Sequence, residues 1–300
     1  MTQSTTLQTT EPRPAGPLHG EPITVVYIVS CPFAGSTWLN MILGSHSRAF
    51  GVGEMDKFDR DFGKVLCRVH GAGCPFWSRF DPSLPEDRYA QAARLSGKAF
   101  IVNNNKAVES LGDHTDPPVR GKYLFLHRDG RAITASRMRK KKGVSVRRAS
   151  RWWTQVFHEK YDAFLRFPAA DRFEVYYEAL LENTEREVRR ICGFLGWEFE
   201  PAMLEYWNFE HHLIAGNLGT QYTLAKLKQS DLPKDTYEYA KESRYEWDVS
   251  YYKESDSRNF RDERWKKEFG WWKRMVFHLR AGKLNRELGY GPDGLLAPTR

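Results

Sequence analysis

The stretch that decides the fold runs from Val25 to Leu39 and reads VVYIVSCPFAGSTWL. Its apolar start predicts a buried strand, its Pro, Gly and Ser residues predict a tight loop, and STWL predicts the start of a helix. A helix N-terminus favours negative charge, because its first backbone N–H groups lack intrahelical acceptors and the helix dipole adds to their effect. We therefore expect the loop N–H groups and the Ser36 and Thr37 hydroxyls to face an anion.

A second stretch runs from Tyr123 to Arg131 and reads YLFLHRDGR, with Ser136 five residues further on. It predicts another buried strand, which delivers Arg128 and Ser136 to its carboxyl end. Arginine and serine are both suited to phosphate, one through paired N–H groups and the other through its hydroxyl. Two anion-binding strand ends in one chain indicate a ligand with two separated phosphate-like groups.

The first stretch resembles the 5′-phosphosulfate loop of sulfotransferases that use 3′-phosphoadenosine 5′-phosphosulfate (PAPS). The similarity lies in PxxGSTWL from Pro32, LGSHS from Leu43, and Gly53 followed by Glu54. A Gly-Glu pair after the first helix is typical of the branch that includes tyrosylprotein sulfotransferases and many bacterial members.

Later residues continue the resemblance in the same order. RDGR from Arg128 with Ser136 resembles the 3′-phosphate site of these enzymes. VYYEAL from Val175 and FLG from Phe194 resemble the strand and helix that follow it. The order and spacing agree from about residue 23 to residue 200.

The resemblance implies a role for particular residues. Glu54 is the expected general base, and Lys106, in NNNK after another predicted strand, is expected beside the transferring group. Tyr177 and Trp38 are expected near the adenine, although packing in the core is an equal alternative. The expected cofactor-binding residues are Ala34, Gly35, Ser36, Thr37, Trp38, Arg128, Ser136, Tyr177 and Asn217.

The chain departs from the family pattern in two places. Phe33 stands where the family carries a lysine or arginine. Either Lys106 takes over part of the work of that basic residue, or the enzyme is weak or altered. The C-terminal Gly-Asp-Trp-Lys motif of cytosolic phenol sulfotransferases is also missing. Possible substitutes are Arg258, Arg261 and Arg264. The stretch HHLIAGN, which holds His211 and Asn217, resembles a region of bacterial members that contacts cofactor or substrate.

Alternating strand and helix patterns predict an α/β fold with a P-loop-like parallel sheet. The predicted strands are 23–29, 99–103, 122–127 and 172–177, and the pattern of residues 54–95 is irregular. Apolar residues at helical spacing predict a helix between Ala149 and Phe164, and a second helix is predicted to start at a Thr184–Glu187 capping box, with Val188, Ile191 and Leu195 as its inner stripe. We expect a disordered tail over 1–20 and one sulfotransferase domain over 21–300. Within that domain we expect a substrate lid near 205–260 and a C-terminal helix near 265–288. The side chains of Trp272, Met275, Val276 and Leu279 on this helix are expected to pack in the core, and the alternative is that this basic helix lies on a membrane surface.

Four cysteines in a chain of 300 residues do not indicate a disulfide framework. Cys67, His70 and Cys74 lie at spacings that a metal site can use. No further pair of candidate ligands follows them to complete a four-ligand site, so free thiols or one local disulfide are favoured. We therefore expect no metal site and no metal requirement.

The net charge of +8 fits an anionic ligand but does not separate PAPS from nucleic acid or an anionic membrane. A nucleotide kinase would need a lysine before Ser36 and Thr37, and a nucleic-acid binder would need a recognition motif; the sequence shows neither. No run of about 18 apolar residues or secretory signal is visible, which favours a cytoplasmic enzyme. The acceptor is expected to be a hydroxyl on a tyrosine peptide, carbohydrate, lipid or secondary metabolite.

Overall fold

The computed structural model describes residues 22–57, 67–104, 111, 119–228 and 260–294. The predicted tail over 1–20, Lys106, Arg258 and the part of the predicted lid over 229–259 lie outside the described residues.

A parallel sheet forms the centre of the fold, as predicted, and in the described part of the chain it has five strands where four were predicted. Its strands are β1 (Ile23–Ser30), β2 (Ala49–Gly53), β3 (Phe100–Asn103), β4 (Val119–His127) and β5 (Arg172–Tyr176). Their spatial order is β2-β3-β1-β4-β5, so the chain fills one side of β1 and then the other. In open parallel sheets the ligand crevice lies at the carboxyl ends of the strands where the order reverses, which here is the end of β1.

The sequence reading missed β2, which lies at one edge of the sheet. Its five residues, AFGVG, include two glycines and are too short to show a strand pattern. Gly51 is required there because a Cβ atom would lie 2.4 Å from the Asn40 side-chain oxygen. Tertiary contact with the first helix therefore decides this strand, rather than local propensity.

Helices cover both faces of the sheet. They are α1 (Ser36–Gly44), α2 (Arg88–Ser96), α3 (Gly130–Lys140), α4 (Val146–Leu165), α5 (Tyr177–Glu182), α6 (Thr184–Leu195), α7 (Leu218–Leu227), α8 (Arg264–Glu268) and α9 (Trp271–Glu287). Short 3₁₀ turns occur at Trp77–Arg79, Ala169–Asp171 and Pro201–Asn208. Both α2 and α7 fall in stretches predicted to be irregular or lid-like, because neither shows a strong apolar stripe.

Two apolar clusters form the core, one on each face of the sheet. One includes Trp153 and Phe157 of α4 with Phe277 of α9. The other includes Ile42 of α1 and Ile191 of α6. The predicted helical spacing in both α4 and α6 is confirmed, since these side chains are buried.

The cap of α6 differs from the prediction. Thr184 and Glu187 were expected to form a capping box, but the N-cap is Asn183, whose side chain accepts from the Arg186 N–H at 2.9 Å. Thr184 instead donates to the Leu180 carbonyl at 2.9 Å. The preceding helix α5 runs up to Glu182 and brings that carbonyl within reach, which explains the one-residue shift.

The predicted inner stripe of the C-terminal helix holds for Val276, which is partly buried against the core, but not for its other three residues. Trp272, Met275 and Leu279 are 56%, 39% and 74% exposed, whereas Phe277 and Ala281 are buried. The helix also breaks at Gly270, which separates α8 from α9, so the predicted face is not continuous with Trp265. None of the helices in the described ranges is long and apolar enough to cross a membrane.

Candidate active site

The loop after β1 leads into the N-terminus of α1. Gly35 is the N-cap residue with φ +99°, and it must be glycine because a Cβ atom would lie 2.5 Å from the Tyr177 ring. The N–H groups of Trp38 and Leu39 donate to the Gly35 carbonyl at 3.0 and 3.3 Å. Among the described residues no side chain caps this helix. A helix N-terminus without a side-chain cap is what an anion site at this loop requires.

Arg128 joins the loop to the second predicted anion site. Its Nη1 donates to the Phe33 carbonyl at 2.7 Å, and its guanidinium lies 4.3 Å from the Tyr177 ring centroid. Its neighbour Asp129 does not pair with it, because the Asp129 carboxylate lies 2.6 Å from Arg131 Nη2. The two predicted anion sites thus meet at the adjacent carboxyl ends of β1 and β4.

Ser136 lies beside a group of arginines that surrounds one carboxylate. Its hydroxyl accepts from Arg139 Nη2 at 2.9 Å. Asp262 accepts from Arg139 at 3.2 Å and from Arg264 Nε at 2.7 Å, and it lies 3.9 Å from Arg128 Nη2. Burial opposes ionisation of Asp262, but Arg264, Arg128 and Arg139 outweigh it and hold its pKa well below the usual range. Three arginines thus surround one internal carboxylate at the place where the sequence predicts the second anion site.

Of the three arginines expected to replace the missing C-terminal motif, Arg264 is in this group. Arg261 is not, since it lies 3.7 Å from Glu263 in an exposed pair. Arg258 lies outside the described residues.

Lys140, at the end of α3, is a candidate that sequence reasoning missed. Its Nζ lies 5.4 Å from the Phe33 ring centroid, next to the loop that lacks the family's basic residue. Burial, then the neighbouring Arg139 and Arg264 charges, lower its pKa to about 8. Lys140 lies four residues after Ser136 and therefore on the same face of the helix, and this spacing could have marked it as a candidate in the sequence.

Phe33 has φ +74°, and its ring packs against Trp152 with centroids 6.3 Å apart. The aromatic side chain therefore points towards α3 and α4. This contact explains how the loop is held although its basic residue is absent.

Glu54 follows β2 and is only 5% exposed. Its N–H donates to the Ile214 carbonyl at 2.8 Å, and Lys57 Nζ lies 2.5 Å from its Oε2. Gly53 has φ +78°, and a Cβ there would lie 2.3 Å from the Ile214 carbonyl oxygen. The Gly-Glu pair thus needs glycine for close backbone approach. Lys57, three residues after Glu54, is a cation beside the expected base that the family pattern does not predict.

The segment around Ile214 also reaches the loop. The Asn217 N–H donates to Thr37 Oγ1 at 3.1 Å, while the Asn217 side chain accepts from the Gly219 N–H at 3.0 Å and caps α7. Residues 214–217 therefore connect the Thr37 hydroxyl with the backbone at Glu54. His211, the other candidate in this stretch, is buried, and its Nε2 pairs with the Tyr206 carbonyl oxygen at 2.7 Å instead of with Thr37 or Glu54.

Tyr177 begins α5 instead of ending β5 and is buried. Its ring meets Trp38 edge-on at 6.0 Å, and its hydroxyl donates to the Phe260 carbonyl. Trp38 Nε1 is buried and has no partner among the described residues. Of the other predicted loop residues, Ala34 donates to the Cys31 carbonyl at 3.3 Å and Ser36 is buried.

Comparison with known proteins supports the resemblance over part of the chain. Residues 120–201, which include Arg128, Ser136 and Tyr177, match the model of the sulfotransferase family. The resemblance to sulfotransferases is confirmed. No curated protein sequence matches this sulfotransferase-like chain significantly.

Three solved sulfotransferases are similar in structure. The domain from the curacin biosynthetic pathway is 15% identical over 83% of this chain and 97% of its own, with a TM-score of 0.46. The domain from the Synechococcus PCC 7002 olefin synthase is 17% identical over 72% and 98%, with a TM-score of 0.43. Mouse sulfotransferase SULT7A1, complexed with PAP, is 12% identical over 88% of each chain, with a TM-score of 0.40.

Proposed function

We propose that this protein transfers a sulfuryl group from PAPS to a hydroxyl acceptor. The observation that carries the proposal is the 2.7 Å contact between Arg128 and the Phe33 carbonyl, because it joins two anion sites in one crevice. PAPS carries phosphate groups at both ends of its ribose, which matches two adjoining sites.

The residues present fit this donor. The uncapped N-terminus of α1 suits the 5′-phosphosulfate. Arg128, Arg139 and Arg264 already surround the Asp262 carboxylate, and a 3′-phosphate is an anion of the same kind. The buried Trp38 Nε1, which lacks a partner among the described residues, is a donor available for a base or ribose oxygen.

Bound PAPS would supply the sulfuryl group, and the chain would supply position and charge. The Glu54 carboxylate accepts the proton of the acceptor hydroxyl as the new sulfur–oxygen bond forms and the bond to the phosphate oxygen breaks. The loop N–H groups with Ser36 and Thr37 stabilise the charge that develops on the departing phosphate. Lys106, outside the described residues, and Lys140 are the cations proposed to assist them.

A nucleotide kinase is the main alternative, and thermal stabilisation distinguishes the two. The intact protein is heated with 3′-phosphoadenosine 5′-phosphate (PAP), or with ATP and Mg²⁺. A ligand at 100 times its Kd stabilises the folded state by about 2.7 kcal/mol, so its melting temperature should rise by several degrees. PAP alone should produce this shift. A shift with ATP and Mg²⁺ but not with PAP would overturn the proposal.

A further inference from the structure

Four metal-ligand side chains converge beside the candidate active site. Cys67, His70 and Cys74 come from one loop, and His212 comes from far along the chain. Their ligand atoms all lie within 4.8 Å of one another. We propose that these four residues bind one Zn²⁺ in a structural Cys₂His₂ site. Sequence reasoning found only three ligands, since no spacing rule connects residue 74 to residue 212.

Two of the separations between ligand atoms match those of tetrahedral zinc, and the widest, about 4.8 Å, would shorten by about 1 Å on binding. Zinc lies about 2.3 Å from thiolate sulfur and about 2.0 Å from imidazole nitrogen, which places the ligand atoms roughly 3.3–3.8 Å apart. Cys67 Sγ lies 3.6 Å from His70 Nδ1, and Cys74 Sγ lies 3.3 Å from His212 Nδ1. Two thiolates and two neutral imidazoles neutralise the charge of the ion, and both thiol protons are released on binding.

His70 is held as zinc-binding histidines usually are. Its other ring nitrogen, Nε2, lies 2.7 Å from Glu210 Oε1. Glu210 is in turn 3.3 Å from Lys228 Nζ. A carboxylate that accepts the second ring N–H fixes the tautomer, so that the lone pair of the first nitrogen faces the metal.

The backbone also fits a metal-binding turn. The Gly71 N–H donates to the Cys67 carbonyl at 2.7 Å, and Gly71 has φ +66°, which closes the loop tightly around Cys67. On the other side, Trp77 Nε1 donates to the His212 carbonyl at 2.5 Å. Both cysteines are buried, so water competes little for these positions.

A metal here would cross-link the two segments that hold Glu54. The Arg68 N–H donates to the Leu213 carbonyl at 2.8 Å, and the Ile214 N–H donates to the Val52 carbonyl at 2.9 Å. The same Ile214 accepts from the Glu54 N–H. The zinc would thus fix the position of the Glu54 backbone without contacting the reacting groups.

The first test measures metal directly. The full chain is produced with added Zn²⁺, purified without chelator, and its zinc is counted by plasma mass spectrometry. We expect about one zinc per chain. Cys74→Ser and His212→Gln should reduce it to near zero, while Cys192→Ser, which removes a buried cysteine of α6, should retain it. A zinc-free wild type, or equal loss in Cys192→Ser, would overturn the proposal.

A second test does not depend on folding of the cysteine variants. Chelator-treated wild-type protein is titrated with Co²⁺, which should develop visible bands of tetrahedral thiolate coordination. Glu210→Gln should weaken binding about 10–100-fold. Glu205→Gln is the matched control, because Glu205 lies five residues before Glu210 in the chain and its carboxylate accepts from Asn208 Nδ2 at 2.7 Å. Absence of the bands, or a Cys67–Cys74 disulfide found in the unreduced protein, would overturn the site. Neither test reads turnover, so failure here leaves the proposed activity untouched.

Discussion

Arg128 touches both halves of the proposed PAPS site, through the Phe33 carbonyl and through the group around Asp262. We expect Arg128→Ala to remove one charged hydrogen bond, worth about 1.5–3 kcal/mol, and to weaken PAP binding at least about tenfold. Titration calorimetry measures the affinity. Arg189→Ala, which removes an exposed arginine of α6, is the control and should bind PAP normally. Equal affinity in both variants would rule Arg128 out as a phosphate ligand.

Glu54 is buried, its N–H donates to the Ile214 carbonyl, and Lys57 Nζ lies 2.5 Å from its Oε2. Glutamine keeps its shape but cannot accept a proton. Glu54→Gln should therefore lower turnover by about 10²–10⁴ while PAP affinity stays close to that of the wild type. Steady-state rates with labelled PAPS and any accepted hydroxyl measure this.

The control for that experiment is Glu159→Gln, on the exposed side of α4. It should turn over normally. If Glu54→Gln were equally active, the base would have to be sought elsewhere.

Lys140 gives the PAP site a predicted pH dependence. Its pKa of about 8 means that the free protein loses this charge as pH rises past 8, whereas a bound phosphate favours the charged form. PAP affinity should therefore fall between about pH 8 and pH 10 in the wild type. Lys140→Ala should bind more weakly at pH 7 and should lack this fall.

Calorimetry at several pH values checks the Lys140 prediction. Lys283→Ala on α9, whose side chain is exposed, should behave like the wild type. A variant lacking Lys140 that kept the full pH dependence would show that another group titrates.

At the scale of elements, Glu178 connects the start of α5 to α3 and to the C-terminal segment. It accepts from the Asp129 N–H at 3.0 Å and from the Tyr290 hydroxyl at 2.8 Å. Burial, then the Asp129 charge, raise its pKa to about 6, and Arg128 partly opposes them. Between about pH 4.5 and pH 6 the folded state therefore binds more protons here than the unfolded state.

Stability linked to Glu178 should consequently fall as pH rises through this window, by about 2 kcal/mol. Glu178→Gln should remove that loss, because the amide can accept from Asp129 and donate to the Tyr290 oxygen. Urea unfolding at pH 4.5 and at pH 7 measures the difference between variant and wild type. Glu182→Gln, at the exposed end of the same helix, should leave the pH dependence unchanged.

Several elements follow from local signals, and others do not. The buried faces of α4 and α6 could be predicted from the sequence, because the helical spacing of apolar residues depends on residues close together in the chain. The strand β2 was not, since Gly51 and Gly53 are selected by contacts with Asn40 and Ile214. The Asn183 cap was missed by one residue for a similar reason, because α5 ends directly before it.

At the scale of the whole molecule, Trp153 links the candidate site to the C-terminal helix. It is fully buried, stacks on Phe277 at 5.7 Å, and leaves no room for a Cβ at Gly130, where α3 begins. Trp153→Ala should lower the free energy of unfolding by about 3–5 kcal/mol. Trp272→Ala, which removes an exposed tryptophan of α9, should change it by less than about 0.5 kcal/mol. Similar urea midpoints for both would contradict this assignment of the core.

The sequence by itself determined the α/β class, the glycine-containing loop before α1, and the arginine and serine after β4. Each of these depends on residues close together in the chain, where strand and helix periodicity and turn chemistry act. Tertiary structure alone decided that Asp262 fills the arginine group, that Lys140 lies beside Phe33, and that His212 joins Cys67, His70 and Cys74. These contacts join residues far apart in the chain, and periodicity fixes which face a side chain occupies but not which distant segment packs against it.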